Sequence, residues 1–325
     1  MKAFVTGGSG FIGGALIRRL RAEDVDVRAL ARSEGSAAKV ADAGAEPARG
    51  DLDDVDAMAA GAEGCELAFH AAAALGEWGR REDFERGNVQ GTRNALEAAR
   101  RAGVRRFVHV GTEAALMAGE PLVDVDETTP LRPDSKALYP ATKAQAEMAV
   151  READGDDLET VVVRPRLVWG VGDTTILPGI AGAVRAGRFR WINGGRHLTA
   201  TTHVDNTVEG LWLGATKGRP GEAYFVTDGE PVVFREFVTE LLATQGVEAP
   251  DKEAPAAVAR LAGPALEAVW GVLRRRTPPP VTRLTYWLSA QECTIDISKA
   301  RSELGYEPVK TRTEGMEELR EEAAA

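Results

Sequence analysis

The chain predicts an α/β fold, a doubly wound parallel sheet with a smaller, mostly C-terminal cap. Three observations lead there. The first half alternates short, Val-rich apolar runs with segments of helical period. The first run leads directly into a glycine turn, TGGSGFIGG. After Pro165 the alternation gives way to glycine, proline and tryptophan. Strands of about five residues between helices mark βαβ units, whose sheet is covered on both faces.

In chain order, the expected strands are Ala3–Thr6, Val25–Leu30, a short third strand before RGDLDD, Leu67–Ala71, Phe107–Gly111 and Thr160–Arg164. The helices between them include Ile12–Arg21, with Ile12, Leu16 and Leu20 on one face, and Val89–Ala102. Residues 1–165 form the first domain, and Asp205–Leu213 and Tyr224–Thr227 return to it as a helix and a strand. That makes the boundary discontinuous: residues 203–230 rejoin the first domain, and 166–202 with 231–325 build the cap. Loops are expected at Gly170–Asp173, Asn193–Gly195 and Pro278–Pro280.

Composition narrows the function. The 325 residues can bury a sizeable core. A net charge of -10 argues against nucleic acid, which requires an excess of phosphate-neutralising cations. The run Arg274, Arg275, Arg276 reads as a solvated face rather than a phosphate site. Cys65 and Cys293 lack metal-site spacing and fit a reducing cytoplasmic setting. The four histidines have no HxxxH spacing and read as structural, so no metal is expected. MKAFVTGG enters a strand at once, which predicts no signal peptide. No apolar run is long enough for stable membrane insertion. Ala254–Leu273, interrupted by Arg260, Gly263, Pro264 and Glu267, reads as an amphipathic helix over a core or pocket rather than a membrane-surface segment.

Gly7, Gly10 and Gly13 are spaced GxxGxxG between the first strand and the first helix. Glycines there let the backbone turn tightly and approach a pyrophosphate, to which the helix N-terminus offers free N–H groups. The first domain is therefore expected to bind a dinucleotide. An acidic residue after the second strand would accept from a ribose 2′-hydroxyl. This chain instead has Arg32 and Ser33, with Lys39 seven residues beyond Arg32. A guanidinium and a hydroxyl suit a 2′-phosphate, so NADP(H) is favoured over NAD(H), although an exposed arginine at a strand end is common. In RGDLDD, Asp51 would accept from the adenine amine while Leu52 packs on the ring, and Asp53 or Asp54 would cap the next helix.

Tyr139 and Lys143 lie four residues apart in LYPATK, on one helical face. An ammonium near a phenol is expected to pull its pKa down from about 10 toward the working range. Thr112 ends the preceding strand and can hydrogen-bond an oxygen that the tyrosine also touches. Pro140 directly follows Tyr139, which places a helix start there, with proline in the first turn.

The segments TGGSGFIG, RGDLDD, HAAA, NVQGTRNALEAA, GTEAAL, YPATK and VVVRPRLVWG resemble the extended short-chain dehydrogenase/reductases, also called the NAD-dependent epimerase/dehydratase family. Within that family the chain is most similar to the 3β-hydroxysteroid dehydrogenase and dihydroflavonol reductase branch, and TIDISKARSELGYEP extends the resemblance nearly to the end. The resemblance implies a Rossmann-type first domain in which Gly7, Gly10, Phe11 and Ile12 hold the pyrophosphate. Ala71 and Ala72 would pass beneath the adenosine and ribose. It implies Thr112 polarising the substrate oxygen, Tyr139 as general acid/base, and Lys143 binding the nicotinamide ribose. Pro165 and its successors would shape the nicotinamide pocket. Asn88 reads as a structural cap rather than a proton relay, and relatives imply a homodimer through the helix after Asn88 and the YxxxK helix. The family's usual serine is replaced by Gly111, leaving Thr112 as the single hydroxyl.

Trp78, Arg166, Trp169, Trp191 and Tyr286 are the expected substrate-pocket residues, and the setting suits a small hydrophobic ketone or alcohol. An oxidoreductase acting on CH–OH groups is the leading reading. A nucleotide-sugar epimerase or dehydratase with tightly held NAD is one alternative, with Arg166 and Arg196 as diphosphate partners. The other is a non-catalytic dinucleotide sensor.

Overall fold

The computed structural model describes residues 1–324. The first half runs β1 (Lys2–Thr6), α1 (Phe11–Ala22), β2 (Asp26–Ala31), α2 (Glu34–Asp42), β3 (Glu46–Arg49), α3 (Val55–Ala62) and β4 (Leu67–His70). It continues through α4 (Arg81–Phe84), a π-helical turn at Glu85–Gln90, α5 (Gly91–Arg101), β5 (Arg106–Val110), β6 (Leu122–Val125), α6 (Leu138–Glu152) and β7 (Glu159–Arg164). The remainder comprises β8 (Val168–Trp169), α7 (Ile176–Arg185), β9 (Trp191–Ile192), β10 (Leu198–Thr199), β11 (Thr202–His203), α8 (Val204–Lys217) and β12 (Glu222–Phe225). Then come β13 (Val232–Val233), α9 (Phe234–Ala243), β14 (Glu253–Ala254), α10 (Ala256–Val272), α11 (Arg283–Ala290), β15 (Cys293–Ile295) and α12 (Arg312–Ala324).

Seven parallel strands form the main sheet in the order β12-β7-β5-β4-β1-β2-β3. Its direction of winding reverses between β1 and β4. Ligands of such sheets bind beyond the strands' carboxyl ends at that point. The inner strands are apolar because both faces are covered: every residue of RFVHV in β5 is buried. A core centred on Leu16, Ile17, Phe69, Val108, Val161 and Leu211 fills one side. Another, around Phe4, Met58, Leu96, Phe107 and Val162, fills the other. The helix α8 packs on α1 and β12 pairs with β7, so the returning segment completes the sheet.

Outside the main sheet lie small ones, including the four-stranded β13-β10-β15-β6, in which β6 comes from the expected first domain and crosses the expected boundary. A separate core gathers Trp169, Leu177, Trp191, Phe234, Phe237 and Leu241. Two sequence expectations change here. The expected helix over Val89–Ala102 begins in the π-helical turn, where Asn88 turns its amide out to the loop after β4. The helix expected to cover a core or pocket, α10, buries only Ala259 and Gly263 and presents most of its larger apolar residues outward. Among the described residues, no helix is long and apolar enough to cross a membrane.

Candidate active site

At the winding reversal the glycine turn follows β1 and Ala71 and Ala72 follow β4, and Thr112 follows the next strand, β5. Gly7 adopts φ +74°. A Cβ on Gly7 would lie 2.6 Å from the Ala72 nitrogen and 2.7 Å from the Ala71 carbonyl carbon. The β1 turn and the loop after β4 therefore pass with no room for a side chain. A Cβ on Gly13 would meet the Gly7 oxygen at 2.1 Å, so the first turn of α1 also packs on the glycine turn. Gly10 is the N-cap of α1 and supplies no capping side chain. A bare helix N-terminus behind a glycine turn is the cradle a pyrophosphate requires, and these residues fit a dinucleotide.

At the edge of the cradle, Arg32 is exposed directly beyond β2, with no side-chain hydrogen bond or ion pair among the described residues. Lys39 is also exposed, in the last turn of α2. Ser33 is committed locally: its hydroxyl caps α2 by accepting from the Ser36 N–H at 3.2 Å. The Asp51 carboxylate accepts from the Leu52 N–H at 2.7 Å, and Asp54, rather than Asp53, caps α3.

The catalytic candidates come from the end of β5 and the start of α6. Leu138 opens α6, which puts Tyr139 in its first turn and Pro140 next, where a missing N–H costs nothing. Tyr139 is half-buried and Lys143, one turn on, is buried. The ammonium donates to the Val110 carbonyl oxygen at 2.7 Å and lies 3.3 Å from His109 Nε2. Burial pushes the Lys143 pKa down to about 8, opposed by the charge of Glu147 one turn further on. Glu147 is itself held by Arg164 at the end of β7, with both side chains buried.

The expected lowering of the tyrosine pKa is corrected. Burial raises it well above 10, the carboxylate of Glu113 adds to the rise, and the Thr112 hydroxyl only partly opposes them. The lysine charge is spent on a carbonyl and an imidazole rather than on the phenol.

Glu113 was not anticipated. It is buried and accepts the Thr112 hydroxyl proton at 2.8 Å, while Thr112 Oγ1 accepts from the Ala114 N–H at 3.2 Å. Its other oxygen accepts from Arg166 Nη1 at 2.6 Å, and the Arg166 guanidinium also reaches Thr199 Oγ1 at 3.0 and 3.2 Å. The sequence signal was only an acid after the threonine in GTEAAL and an arginine after Pro165, 53 residues apart. Arg166 is thus an internal strut rather than an open pocket residue. It also fixes the loop after buried Pro165, where Leu167 is held at φ +40°.

Other expectations are likewise placed or revised. Gly111 has a packing reason, since a Cβ there would lie 2.8 Å from Val162 Cγ1 on β7. Asn88 accepts from the Ala74 N–H at 2.7 Å and donates to Thr142 Oγ1 at 3.0 Å, tying the loop after β4 to α6. Trp169 and Trp191 do not line the pocket. Both are fully buried in the cap core, their indole N–H groups donating to Asp228 and to the Pro250 carbonyl. Tyr286 is half-buried against the main core, and Trp78 donates to the Arg275 carbonyl at 2.9 Å. Among the described residues, one group has metal-like grouping: His203, Asp205 and Glu318. The Lys310 ammonium already stands between its carboxylates, 3.7 Å from Asp205 and 2.5 Å from Glu318.

The fold and these groups define an NAD(P)-dependent oxidoreductase acting on hydroxyl or keto groups, of the extended short-chain type. Residues 4–255 match the 3-beta hydroxysteroid dehydrogenase/isomerase family, and the chain belongs to that family. It is 46% identical to the 4-hydroxy-2-methyl-3-oxo-4-farnesyl-3,4-dihydroquinoline-1-oxide ketoreductase of Stigmatella aurantiaca, over 100% of this chain and 97% of that one. It is 37% identical to a 2-alkyl-3-oxoalkanoate reductase of Stenotrophomonas maltophilia, over the full length of both. The crystal structure of gox2253 superposes with a TM-score of 0.79 at 28% identity, covering 98% of each chain.

Proposed function

We propose that this protein reduces a hydrophobic ketone with NADPH, with Tyr139 as the proton donor. The carrying observation is that Tyr139 stands in the first turn of α6 by the Thr112 hydroxyl, its pKa raised by burial and by the Glu113 carboxylate, in a chain whose first strand ends in the Gly7 cradle. A phenol in its acid form can deliver a proton to an alkoxide, the step that reduction requires. When bound, the dinucleotide supplies the hydride. Gly7, Gly10, Phe11, Ile12 and Gly13 would hold its pyrophosphate, Ala71 and Ala72 its adenosine side, and Lys143 its nicotinamide ribose. Thr112 can turn its proton from Glu113 to the substrate carbonyl, aligning that oxygen with Tyr139.

Both relatives' names place an oxo group next to a carbon bearing an apolar chain, farnesyl in one and alkyl in the other. The same pattern, a ketone flanked by a carbon carrying a long apolar substituent, is the substrate class we infer here. A sugar diphosphate fits less well, because Arg166 is bound to Glu113 and Arg196 to Glu253. The test is NADPH absorbance with 2-alkyl-3-oxo acids and simple apolar ketones. Turnover of nucleotide sugars without net NADPH loss would defeat the reading.

The cofactor preference rests on Arg32. NADPH should raise the melting temperature more than NADH, and Arg32→Ala should weaken NADPH at least about tenfold, the worth of one charge-assisted hydrogen bond, while leaving NADH unchanged. Equal stabilisation by both cofactors would assign Arg32 to the solvated surface.

A pH profile tests Lys143. Its folded pKa of about 8 lies below the ordinary lysine value of 10.5, so the free enzyme loses this cation as the pH rises through about 8. For reduction, kcat/KM should fall above that pH, and Lys143→Arg should flatten the alkaline limb while lowering the plateau. The same shift gives a stability sign. Between about 8 and 10.5 the unfolded chain holds the proton that the folded one has released, so this group's penalty on folding is relieved as pH rises.

A further inference from the structure

The geometry points to an anionic lipid surface as the partner of α10 and the arginine run that follows it. Spacings of three and four residues put Val258, Leu261, Ala265, Ala268 and Val272 on one stripe of this 17-residue helix. The stripe faces outward: Leu261 is 71% and Val272 84% exposed, and Val269 and Leu273 continue the apolar surface. Soluble chains rarely leave such a face uncovered without a partner.

Charge selects the partner. The chain carries -10 overall, yet from 254 to 276 its only acid is Glu267, against Arg260, Arg274, Arg275 and Arg276. Glu267 turns inward and accepts from the Arg283 N–H and Nε, both at 2.7 Å. The arginines at 274–276 are exposed at the end of the apolar stripe. An apolar stripe flanked by cations lies in the headgroup region of an anionic bilayer, and this helix does not meet the length and apolarity needed to cross one. A second copy fits less well. The acids near the helix N-terminus, Asp251 and Glu253, are already paired with Arg235, so an antiparallel copy of the helix would bring the arginines no free acids, and within the chain Asp83 is the acid that feels Arg276.

The surface also has a place in the fold. Through Glu267 the helix is fixed to α11, and α11 carries the half-buried Tyr286 inward. The N-terminal threonines of α11, Thr282 and Thr285, donate to Glu77 in the loop after β4, and Trp78 donates to the Arg275 carbonyl. The unit thus joins the loop after β4 through Glu77 and Trp78 while its apolar stripe stays exposed, and docking would set this unit against the bilayer. The inference stands on the exposed face and its charge, independently of the ketone reading.

The test is sedimentation of the full chain with unilamellar vesicles of phosphatidylcholine, with and without phosphatidylglycerol, at low and high salt. Binding should require the anionic lipid and weaken with salt. Replacing Arg274, Arg275 and Arg276 by glutamine should lower partitioning about a hundredfold, from about a fivefold loss per arginine near the surface. Leu261→Asp with Val272→Asp should abolish it at unchanged melting temperature and unchanged turnover of a water-soluble ketone, since both positions are exposed. Absence of vesicle binding, or equal binding to neutral vesicles, would overturn the proposal. So would a lipid-free dimer dispersed by the two aspartates. Because lipid binding is read without catalysis, its failure is distinguishable from failure of the ketone reading.

Discussion

Tyr139→Phe is expected to lower kcat for ketone reduction by about 10²–10⁴-fold, the range one positioned proton donor supplies. The change removes a single oxygen. The ring still packs beside the main core, and the cradle at Gly7 and Gly13 lies on other elements. NADPH affinity, read by thermal shift or fluorescence, should stay within a few fold, so the loss falls in kcat rather than in cofactor binding. The environment makes the effect specific. Burial and Glu113 raise the pKa of this phenol, so at neutral pH it carries a proton ready to donate. A water in its place would have neither that position nor the alignment with Thr112. Turnover of an apolar ketone unchanged in Tyr139→Phe would remove the phenol from the chemistry altogether. It would leave Thr112 as the remaining proton source at the cleft.

Much of this arrangement was legible in the sequence, for physical reasons that differ by element. The inner strands announce themselves because they are buried on both faces, so β7 reads as an unbroken run, TVVVR, whatever its neighbours are. The glycines are legible because backbone contact excludes side chains at Gly7 and Gly13. Pro140 correctly placed the start of α6, since proline fits a first turn without losing a hydrogen bond. Long-range pairing was not legible. Glu113 and Arg166 each look like ordinary surface charges until the fold brings them to 2.6 Å. The tyrosine pKa went wrong for the same reason: spacing brings Lys143 to its face of α6 but does not show that Val110 and His109 take its charge. The cap misled in another way. Large rings near glycine turns looked like pocket lining, whereas a cap with small sheets requires Trp169 and Trp191 for a core of its own. The helix α10 reads as amphipathic, but nothing in its periodicity says which face the rest of the chain leaves bare.

Glu113→Ala should cost about 3–5 kcal/mol of stability, the usual penalty for stranding one member of a buried ion pair. Arg166 is fully buried, and Thr199 would be its remaining side-chain partner, which cannot neutralise a guanidinium. In a chain whose folding free energy is of order 5–15 kcal/mol, that loss should be visible as a lower urea midpoint with little change in slope. Removing both charges is the informative contrast. Glu113→Leu with Arg166→Met deletes the pair without leaving a buried charge, and should recover much of the stability. Catalysis should not recover with it. Thr112 would lose the acceptor that orients its hydroxyl, and Tyr139 the negative charge that helps keep it protonated. The double variant should therefore fold and bind NADPH while kcat stays below the wild-type value. A double variant with wild-type turnover would confine the Glu113–Arg166 pair to holding the loop after β7. The separation of the two readouts matters because a structural strut and a proton-positioning group predict the same loss for the single variant and different outcomes for the pair.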